Sequence, residues 1–265
     1  MSESQRDLFR GTAWYYARYR LGYPGAFFEY VKDKFHLSKA DRVLDLGCGT
    51  GQIAVQISHY VKEVVAVDPE PEMLAEGKKQ AEKSKVANIV WIQGGAEDLP
   101  NMNESLGRFK LVAMGSSFHW MDREKTLKDL HGMVEHGGGI VIVDASSLWT
   151  KATEWQEPAK KVIQKWLGEE RRTVKGLYKE PERRHEEIVV QSEFHTMELW
   201  EHKYIVTTDL DGVVGNIYST SFANPNLLGD KKESFEKDLR ETLLRGNPSG
   251  QFSSKVELQA ILAWK

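Results

Sequence analysis

Cysteine is almost absent from this chain, because Cys48 is the one cysteine among 265 residues. A lone cysteine excludes the internal disulfide framework of small secreted domains and indicates a reducing compartment. No apolar run approaches the ~20 residues that a membrane-spanning helix needs. The polar start of the chain, residues 1–7, does not have the pattern of a secretory signal peptide. The sequence therefore predicts a cytoplasmic protein with no membrane partner.

Charge of one dominant sign is also missing. The chain has 36 basic and 39 acidic residues, a net charge of −3, and 28% charged and 40% hydrophobic residues. The densest basic patch, around Arg171-Arg172 and Arg183-Arg184, is interleaved with glutamates, as on a solvated surface. Nucleic acid is therefore not a favoured partner, and the composition is that of an ordinary globular protein.

The most informative segment of the chain is Val43–Gly51. Val43, Leu44 and Leu46 predict a short buried strand, and three glycines at alternate positions follow it at once. Glycines allow a sharp turn and let a ligand lie against bare backbone. Apolar residues then recur at helical spacing, at Ile53, Ala54, Ile57 and Val61. This strand, loop and helix predict the place where an open α/β sheet binds a nucleotide-like ligand.

The spacing of the glycines narrows the choice of nucleotide. A dinucleotide fingerprint, Gly-x-Gly-x-x-Gly, fails because its third glycine falls on Gln52. No Gly-Lys-Ser/Thr follows, which excludes a phosphate-binding P-loop of that type. Asp45, two places before the first glycine, suits a ligand with a cationic end.

Two further strands end in candidate ligand residues. The strand Val64–Val67 leads into Asp68, whose carboxylate can accept hydrogen bonds from both hydroxyls of a ribose. Asp68 alone does not choose between nicotinamide and methyl donors, because both carry that ribose. The strand Ile89–Ile92 runs into a loop that contains Ala96 and Glu97.

Asp-x-Gly-x-Gly-x-Gly at residues 45–51 resembles motif I of the class I S-adenosylmethionine-dependent methyltransferases. The segments 11–24 and 116–122 resemble the N-terminal lid and a post-strand motif of the methyltransferase type 11 group, which includes trans-aconitate methyltransferase and natural-product tailoring enzymes. The resemblance implies S-adenosylmethionine as cofactor, with Glu97 or its neighbour facing the adenine. The residues that it implies for the cofactor are Asp45, Gly47, Cys48, Gly49, Gln52, Asp68, Pro69, Met73, Ala96, Glu97, Ser116, Tyr16 and Arg20.

The predicted lid suits a sulfonium, because aromatic faces stabilise a cation by ~0.5–2 kcal/mol. Tyr15, Tyr16 and Tyr19 can supply such faces, and Arg20 can reach the carboxylate of the ligand. We place Tyr15 and Tyr19 on the substrate side of the pocket. An aromatic helix packed on the core is the alternative for each of these residues.

His119 is the candidate general base, since it comes just after the fourth strand, at the edge where open-sheet sites form. Phe118 and Trp120 are expected to wall the acceptor pocket. A structural histidine that supports the loop is the alternative. The histidines expected to be surface or packing residues are His59, His131, His136, His185, His195 and His202, and no metal site is expected.

The order of predicted elements gives the fold class, an α/β protein with a Rossmann-like core. We expect a seven-stranded, mostly parallel sheet with an antiparallel final strand, an N-terminal helical lid, and a helical cap inserted between the last two strands. The chain is expected to be one domain over residues 1–265, with lid helices in 1–38, the cofactor core in 39–147, and a C-terminal part in 148–265 that carries the cap at about 209–246.

The sequence as a whole predicts methyl transfer from S-adenosylmethionine to a small organic molecule, with oxygen favoured as acceptor, nitrogen next and carbon last. The alternatives are a non-catalytic S-adenosylmethionine-binding protein, an aminopropyl transferase, and a nicotinamide oxidoreductase, against which Gln52 argues. The sequence does not determine the acceptor or the oligomeric state.

Overall fold

A computed structural model describes residues 9–149, 154–170, 172–173, 176–177 and 182–265. The predictions for residues 1–7 and for Arg171 lie outside these ranges. The elements up to the fifth strand are α1 (Ala13–Tyr19), α2 (Gly25–Phe35), β1 (Arg42–Leu46), α3 (Ala54–Ile57), β2 (Glu63–Asp68), α4 (Pro71–Lys83), β3 (Ile89–Gln93), α5 (Leu99–Leu106), β4 (Phe109–Gly115), α6 (Arg123–Met133) and β5 (Val134–Ala145). Those that follow are α7 (Gln156–Leu167), β6 (Arg172–Thr173), β7 (Gly176–Leu177), α8 (His185–Val190), β8 (Thr196–Asp209), α9 (Leu210–Tyr218), α10 (Pro225–Leu228), α11 (Lys232–Gly246) and β9 (Gln251–Trp264).

The apolar strands pair in a seven-stranded sheet of order β3-β2-β1-β4-β5-β9-β8. The strands β1 to β5 pair in parallel, whereas β9 is antiparallel to both β5 and β8. The strand order reverses between β1 and β4, so the loops after these two strands meet at one edge of the sheet. The predicted Rossmann-like fold with an antiparallel final strand is confirmed.

Helices cover both faces of the sheet and bury its side chains. On one face, α2 buries four apolar residues that recur at helical spacing in the sequence, Phe27, Phe28, Val31 and Phe35. On the other face, α6 and α8 contribute Leu127, Leu130, Ile188 and Val189. Burial of one such side chain stabilises the fold by ~1.5–3 kcal/mol, so these two layers fix the strands that carry the site.

A third apolar cluster lies in the cap. The helices α7, α9 and α11 pack together around Ile163, Tyr218 and Phe235, and Phe252 of β9 joins them. The helices α9, α10 and α11 connect β8 to β9, as the sequence predicts for an insertion between the last two strands.

Two local sequence patterns predict features that the structure does not have. The spacing of Asp230 and Glu233 predicts a capping box, but α11 has Lys231 at its N-cap without a side-chain hydrogen bond, and Asp230 lies in a preceding 3-10 turn. The three consecutive glycines at 137–139 predict the end of α6, but α6 ends at Met133 and the glycines lie inside β5. A Cβ on Gly139 would come 2.1 Å from the Ala263 carbonyl oxygen, so close strand packing explains this glycine.

The helix α8 was not predicted from the sequence. Within the described residues, the structure has no helix that is long and apolar enough to cross a membrane.

Candidate active site

The glycine loop after β1 takes the sharp turn that its sequence predicts. Gly47, Gly49 and Gly51 have φ values of 73°, 53° and 79°, a region that residues with a side chain rarely adopt. A Cβ on Gly47 would come 2.5 Å from the Cβ atom of Ser117, in the loop after β4. The Ser117 hydroxyl donates a hydrogen bond to the Leu46 carbonyl at 2.8 Å. The loops after β1 and β4 are therefore held in direct contact.

Two buried carboxylates support this loop from beneath. Asp45 accepts a hydrogen bond from the Ala54 amide at 2.9 Å, and Asp68 accepts from the Gly49 amide at 2.8 Å and from the Glu70 amide at 2.9 Å. Burial raises the pKa of Asp45 to about 7 and that of Asp68 to about 6, although these backbone hydrogen bonds act in the opposite direction. Asp68 is thus where a ribose acceptor is expected, at the end of β2 and against the glycine loop.

The loop after β3 lies beside Asp68. The Gly94 amide donates to the Asp68 carbonyl at 3.1 Å, and the Gly95 amide donates to the Asp98 carboxylate at 2.8 Å. Ala96 is buried and Glu97 is exposed in this turn. The ends of β2 and β3 therefore form one continuous surface, as the predicted ribose and adenine contacts require.

The N-terminal segment covers the glycine loop. A Cβ on Gly49 would be 3.8 Å from the Tyr16 ring, and the Gly11 amide donates to the Glu72 carboxylate at 2.8 Å. On its other side, α1 contacts the cap, because the Asn216 side-chain amide donates to the Tyr19 carbonyl at 3.0 Å. The helix α1 thus bridges the cofactor loops and the cap, which is the position predicted for a lid.

A cavity of about 520 Å³ lies under this bridge. Its floor is formed by the loops after β4 and β5, and its walls by α1, α7, α9 and the paired strands β8 and β9. Seven of the predicted site residues line it, namely Tyr16, Tyr19, Arg20, Gln52, Ser116, His119 and Trp120. Gln52, which directly follows the glycine loop, and residues of the cap therefore line the same cavity.

Arg20 gives a direct test of whether the cavity suits the amino-acid end of S-adenosylmethionine. Its Nε atom is buried and has no hydrogen-bond partner among the described residues. A buried guanidinium N–H without an acceptor is unfavourable, and a carboxylate is its best partner. Gln52 lines the same part of the cavity, with its side-chain amide 3.5 Å from the Arg20 carbonyl. The residues present fit a ligand carboxylate here.

A polar cluster occupies the cavity floor. Ser116, directly after β4, has φ of 50°, and its side chain lies close enough to Asp144, at the end of β5, to lower the pKa of that carboxyl. The same side chain also lowers the pKa of Tyr23, which burial raises. His185 Nε2 lies 3.8 Å from Asp144 Oδ2, and His119 completes the group. A non-glycine residue with positive φ is a form of strain that occurs at functional sites.

Two residues predicted for the substrate pocket lie elsewhere. Phe118 is fully buried in the core and packs under His185, with ring centroids 5.1 Å apart. Tyr15 packs against Tyr218 of the cap, with centroids 5.2 Å apart. Both are thus placed where they support cavity residues and do not line the cavity. The buried Cys48 thiol has a pKa well above its ordinary value because of desolvation, which fits packing and not nucleophilic attack.

Sequence reasoning missed Asp144, His185 and Tyr23 as cavity residues. Asp144 follows the same pattern as Asp68, an acid at the end of a buried strand, so that signal was present in the sequence. His185 was expected to be a surface or packing residue. It reaches the cavity through α8, a short helix that is distant in sequence from the core strands.

Comparisons with known proteins agree with this geometry. A family model described as a methyltransferase domain matches residues 43–138, from β1 into β5. The matched part of the chain holds the glycine loop, Asp68 and the loop after β3, and its similarity to a methyltransferase domain supports a class I S-adenosylmethionine-dependent methyltransferase with S-adenosylmethionine as cofactor.

Among curated proteins, an uncharacterized methyltransferase of Schizosaccharomyces pombe is 29% identical over 154 residues, which is 58% of this chain and 57% of that protein. An uncharacterized methyltransferase of Mycobacterium bovis is 30% identical over 146 residues, 54% of this chain and 55% of that protein. The chain therefore spans little more than half the length of these curated relatives.

Solved structures share the fold over most of the chain. The YcgJ protein of Bacillus subtilis has a TM-score of 0.56 at 16% identity, with 91% of this chain and 99% of that chain covered. A methyltransferase of Geobacter sulfurreducens, in complex with S-adenosyl-L-homocysteine, has a TM-score of 0.52 at 14% identity, with 97% and 98% covered.

Proposed function

We propose that this protein transfers the methyl group of S-adenosylmethionine to a small organic molecule, with oxygen favoured as acceptor, nitrogen next and carbon last. The observation that carries the proposal is the single cavity of about 520 Å³ that both the cofactor-side residues and the cap residues line. Its volume falls in the range of small-molecule sites, ~300–1,000 Å³. Donor and acceptor would thus meet in one enclosure.

The cavity walls support an acceptor with an apolar body and one polar reacting group. Aromatic side chains contributed by several loops and helices line it, including Trp120, Trp155 and Phe222. Its floor carries hydroxyl, carboxyl and imidazole groups, from Ser116 to His185. Such a division favours a molecule that lies against rings and presents a hydroxyl or an amine to the floor.

Arg20 and Gln52 are proposed to hold the amino-acid end of the cofactor, and Asp68 and Ala96 its adenosine. The cofactor supplies a methyl group on a sulfonium, which is already activated for in-line displacement. The protein then has to orient the acceptor, which contributes up to ~7–11 kcal/mol in well-oriented systems. His119, on the cavity floor beside Trp120, is proposed to orient or deprotonate the acceptor.

The proposed function includes the domain organisation, the partner and the location of the protein. The chain is proposed to act as one domain, since β8 and β9 complete the sheet that holds the cofactor loops. A small molecule is the proposed partner, without nucleic acid or membrane, because the net charge is only −3. A cytoplasmic location is proposed from the lone Cys48.

Radiolabelled methyl transfer tests the proposal. The test panel contains phenols, arylamines, aliphatic alcohols and unsaturated carboxylic acids, each incubated with the protein and labelled S-adenosylmethionine. We expect label in at least one phenol or arylamine. Binding of S-adenosylhomocysteine without transfer to any panel member would favour a non-catalytic ligand-binding protein. Binding of NADH in place of S-adenosylmethionine would favour an oxidoreductase.

A further inference from the structure

Three side chains from separate elements meet on the cavity floor, His119 after β4, Asp144 at the end of β5 and His185 at the start of α8. One nitrogen or oxygen from each lies within 4.8 Å of the others. Two imidazoles and a carboxyl at this distance can bind a metal ion, or they can accept and release a proton. The neighbours of His185 distinguish these two chemistries.

Arg123 sets the protonation pattern of His185. Its Nη1 atom lies 3.1 Å from His185 Nδ1. A guanidinium can only donate, so Nδ1 accepts, and a neutral ring carries its proton on Nε2. Burial lowers the pKa of His185, and the charge of Arg123 lowers it further, which keeps the ring neutral. His185 therefore presents an N–H, not a lone pair, to Asp144.

This pattern is unfavourable for a metal ligand. A metal-binding histidine ordinarily donates its second ring N–H to a carboxylate or a carbonyl, which leaves the other nitrogen free for the metal. In His185 the second nitrogen accepts from a cation, so the nitrogen that faces the cavity bears hydrogen. The cluster thus turns a hydrogen-bearing nitrogen toward a carboxylate, which is unlike a metal site and suits a group that handles a proton.

Asp144 is that carboxylate. The nearby Ser116 side chain lowers the pKa of its carboxyl, and His185 Nε2 lies 3.8 Å from its Oδ2. About a third of its side chain, 36%, is accessible, and Asp144 lines the cavity. The protein around the cavity partly desolvates the carboxyl, although its side chain is accessible from the cavity, and raises its pKa to about 7, the range in which a general base is effective near neutral pH. The other titratable groups around it are Tyr16, Tyr23 and His119, with Arg123 behind His185.

We propose that Asp144 is the general base of the methyl transfer, and that Ser116 and His185 are positioning residues that hold its carboxylate toward the acceptor. The inference rests on the proposed function. The acceptor oxygen or nitrogen keeps the electron pair of its former bond to hydrogen and uses it for the bond to the methyl carbon, while sulfur keeps the pair of the broken carbon–sulfur bond. The proton passes to Asp144 and from there to solvent. His119 orients the acceptor and does not take its proton.

Acceptors of different acidity distinguish a residue that removes the proton from a residue that only orients the acceptor, because an ionised acceptor has no proton to lose. With a phenol that is protonated at the assay pH, Asp144→Asn should lower kcat by ~10²- to 10⁴-fold. With 4-nitrophenolate at pH 9, which has no proton to lose, the same variant should retain a rate near that of the wild type. His119→Gln should lower both rates by a similar factor. Asp33→Asn and His136→Gln change exposed residues remote from the cavity and serve as matched controls.

The pH profile tests the positioning role of His185. In the wild type, kcat should rise through a single ionisation near pH 7, and Asp144→Asn should remove this rise. His185→Phe keeps a ring against Phe118 but removes the N–H, so the midpoint should move to higher pH. Calorimetric affinity for S-adenosylhomocysteine should stay within about threefold of the wild type in both variants, which separates this role from cofactor binding.

Several results would overturn the inference. These are an equal loss of rate for phenol and 4-nitrophenolate in Asp144→Asn, an acceptor-dependent loss in His119→Gln, or a rate that EDTA abolishes and a divalent ion restores. An infrared difference spectrum between the wild type and Asp144→Asn, taken with S-adenosylhomocysteine bound, provides a test without acceptor. A carboxyl band that titrates near pH 7 supports the base, and one near pH 4 contradicts it. Failure of the wild type to methylate any panel member contradicts the proposed function instead.

Discussion

The indole ring of Trp91 fills the space that a side chain on Gly77 would need. A Cβ on Gly77 would lie 2.5 Å from Cζ3 of Trp91 and 2.7 Å from its Cη2. The same ring blocks a Cβ on Gly51, which would lie 2.6 Å from Cη2. One aromatic residue of β3 therefore locks the glycine loop to α4, and the position of the cofactor loop depends on this packing.

The contact predicts that Gly77→Ala destabilises the protein, against the ordinary preference of a helix for alanine. Overpacking costs ~1–3 kcal/mol. Gly132→Ala in α6 is the control, because a Cβ there meets nothing closer than 3.8 Å and alanine favours the helix by up to ~1 kcal/mol. Urea unfolding measures both changes. A Gly77→Ala variant as stable as Gly132→Ala would show that the ring moves aside without cost.

Asp45 predicts a pH-dependent stability. Its folded-state pKa of about 7 lies above its ordinary value of 3.8 because of burial. The folded protein therefore holds the proton that the unfolded chain releases, and the contribution of Asp45 to stability falls as the pH rises from about 4 to 7. Asp45→Asn removes this loss, so the variant should gain ~1–3 kcal/mol relative to the wild type between pH 5 and pH 8. Chemical unfolding at the two pH values is the measurement.

Asp33→Asn provides the matched control for that experiment, since Asp33 is an exposed carboxyl. It should show the same pH dependence as the wild type. A constant difference between Asp45→Asn and the wild type across this range would place the Asp45 pKa near its ordinary value.

Asp68 is predicted to bind the cofactor ribose. Its carboxylate already accepts from the Gly49 and Glu70 amides, so Asp68→Ala should also lose stability. Asp68→Asn is the sharper change, because its amide oxygen still accepts one hydrogen bond. Loss of a charge-assisted hydrogen bond costs ~1.5–3 kcal/mol, so the dissociation constant for S-adenosylmethionine should rise about 10- to 100-fold. Unchanged affinity in calorimetry would move the ribose to another site.

The segment Thr12–Tyr23 is predicted to become more protected when cofactor binds. It carries Tyr16 and Arg20, which line the cavity, and its closure over the ligand would exclude water from the sulfonium. Hydrogen exchange with and without S-adenosylhomocysteine is the measurement, and α11 in the cap is the internal reference. Equal hydrogen exchange of residues 12–23 with and without S-adenosylhomocysteine would show that this segment does not respond to the cofactor.

Local patterns in the sequence were sufficient for most of the fold. The strands were predicted from short apolar runs, and the apolar residues of α2 recur at the spacing of the helix face that it buries. The predictions failed where long-range packing decides. Gly139 reads as a helix terminator in sequence, but it lies inside β5 because the Ala263 carbonyl leaves no space for a Cβ.

In the candidate site too, local sequence was sufficient for some residues, whereas others depended on packing. The glycine loop, Asp45 and Asp68 were predicted because each lies at or beside the end of a strand and has the residue type that binds a nucleotide-like ligand there. Phe118 was placed on the wrong side of its loop, because neighbouring residues in a turn point in different directions and only packing shows which one faces the cavity.

By itself, the sequence determined the class of fold, the cofactor loop and the strand ends at which ligand residues lie, because these depend on residues close together in the chain. Only the tertiary structure decided that Asp144 and His185 share the cavity floor with His119, and that Arg123 orients the His185 ring. The helix α8 is separated from the end of β5 by 39 residues, counted from 146 to 184. It lies near β5 because Ile188 and Val189 pack on the sheet. The spacing of residues along the sequence does not show this contact.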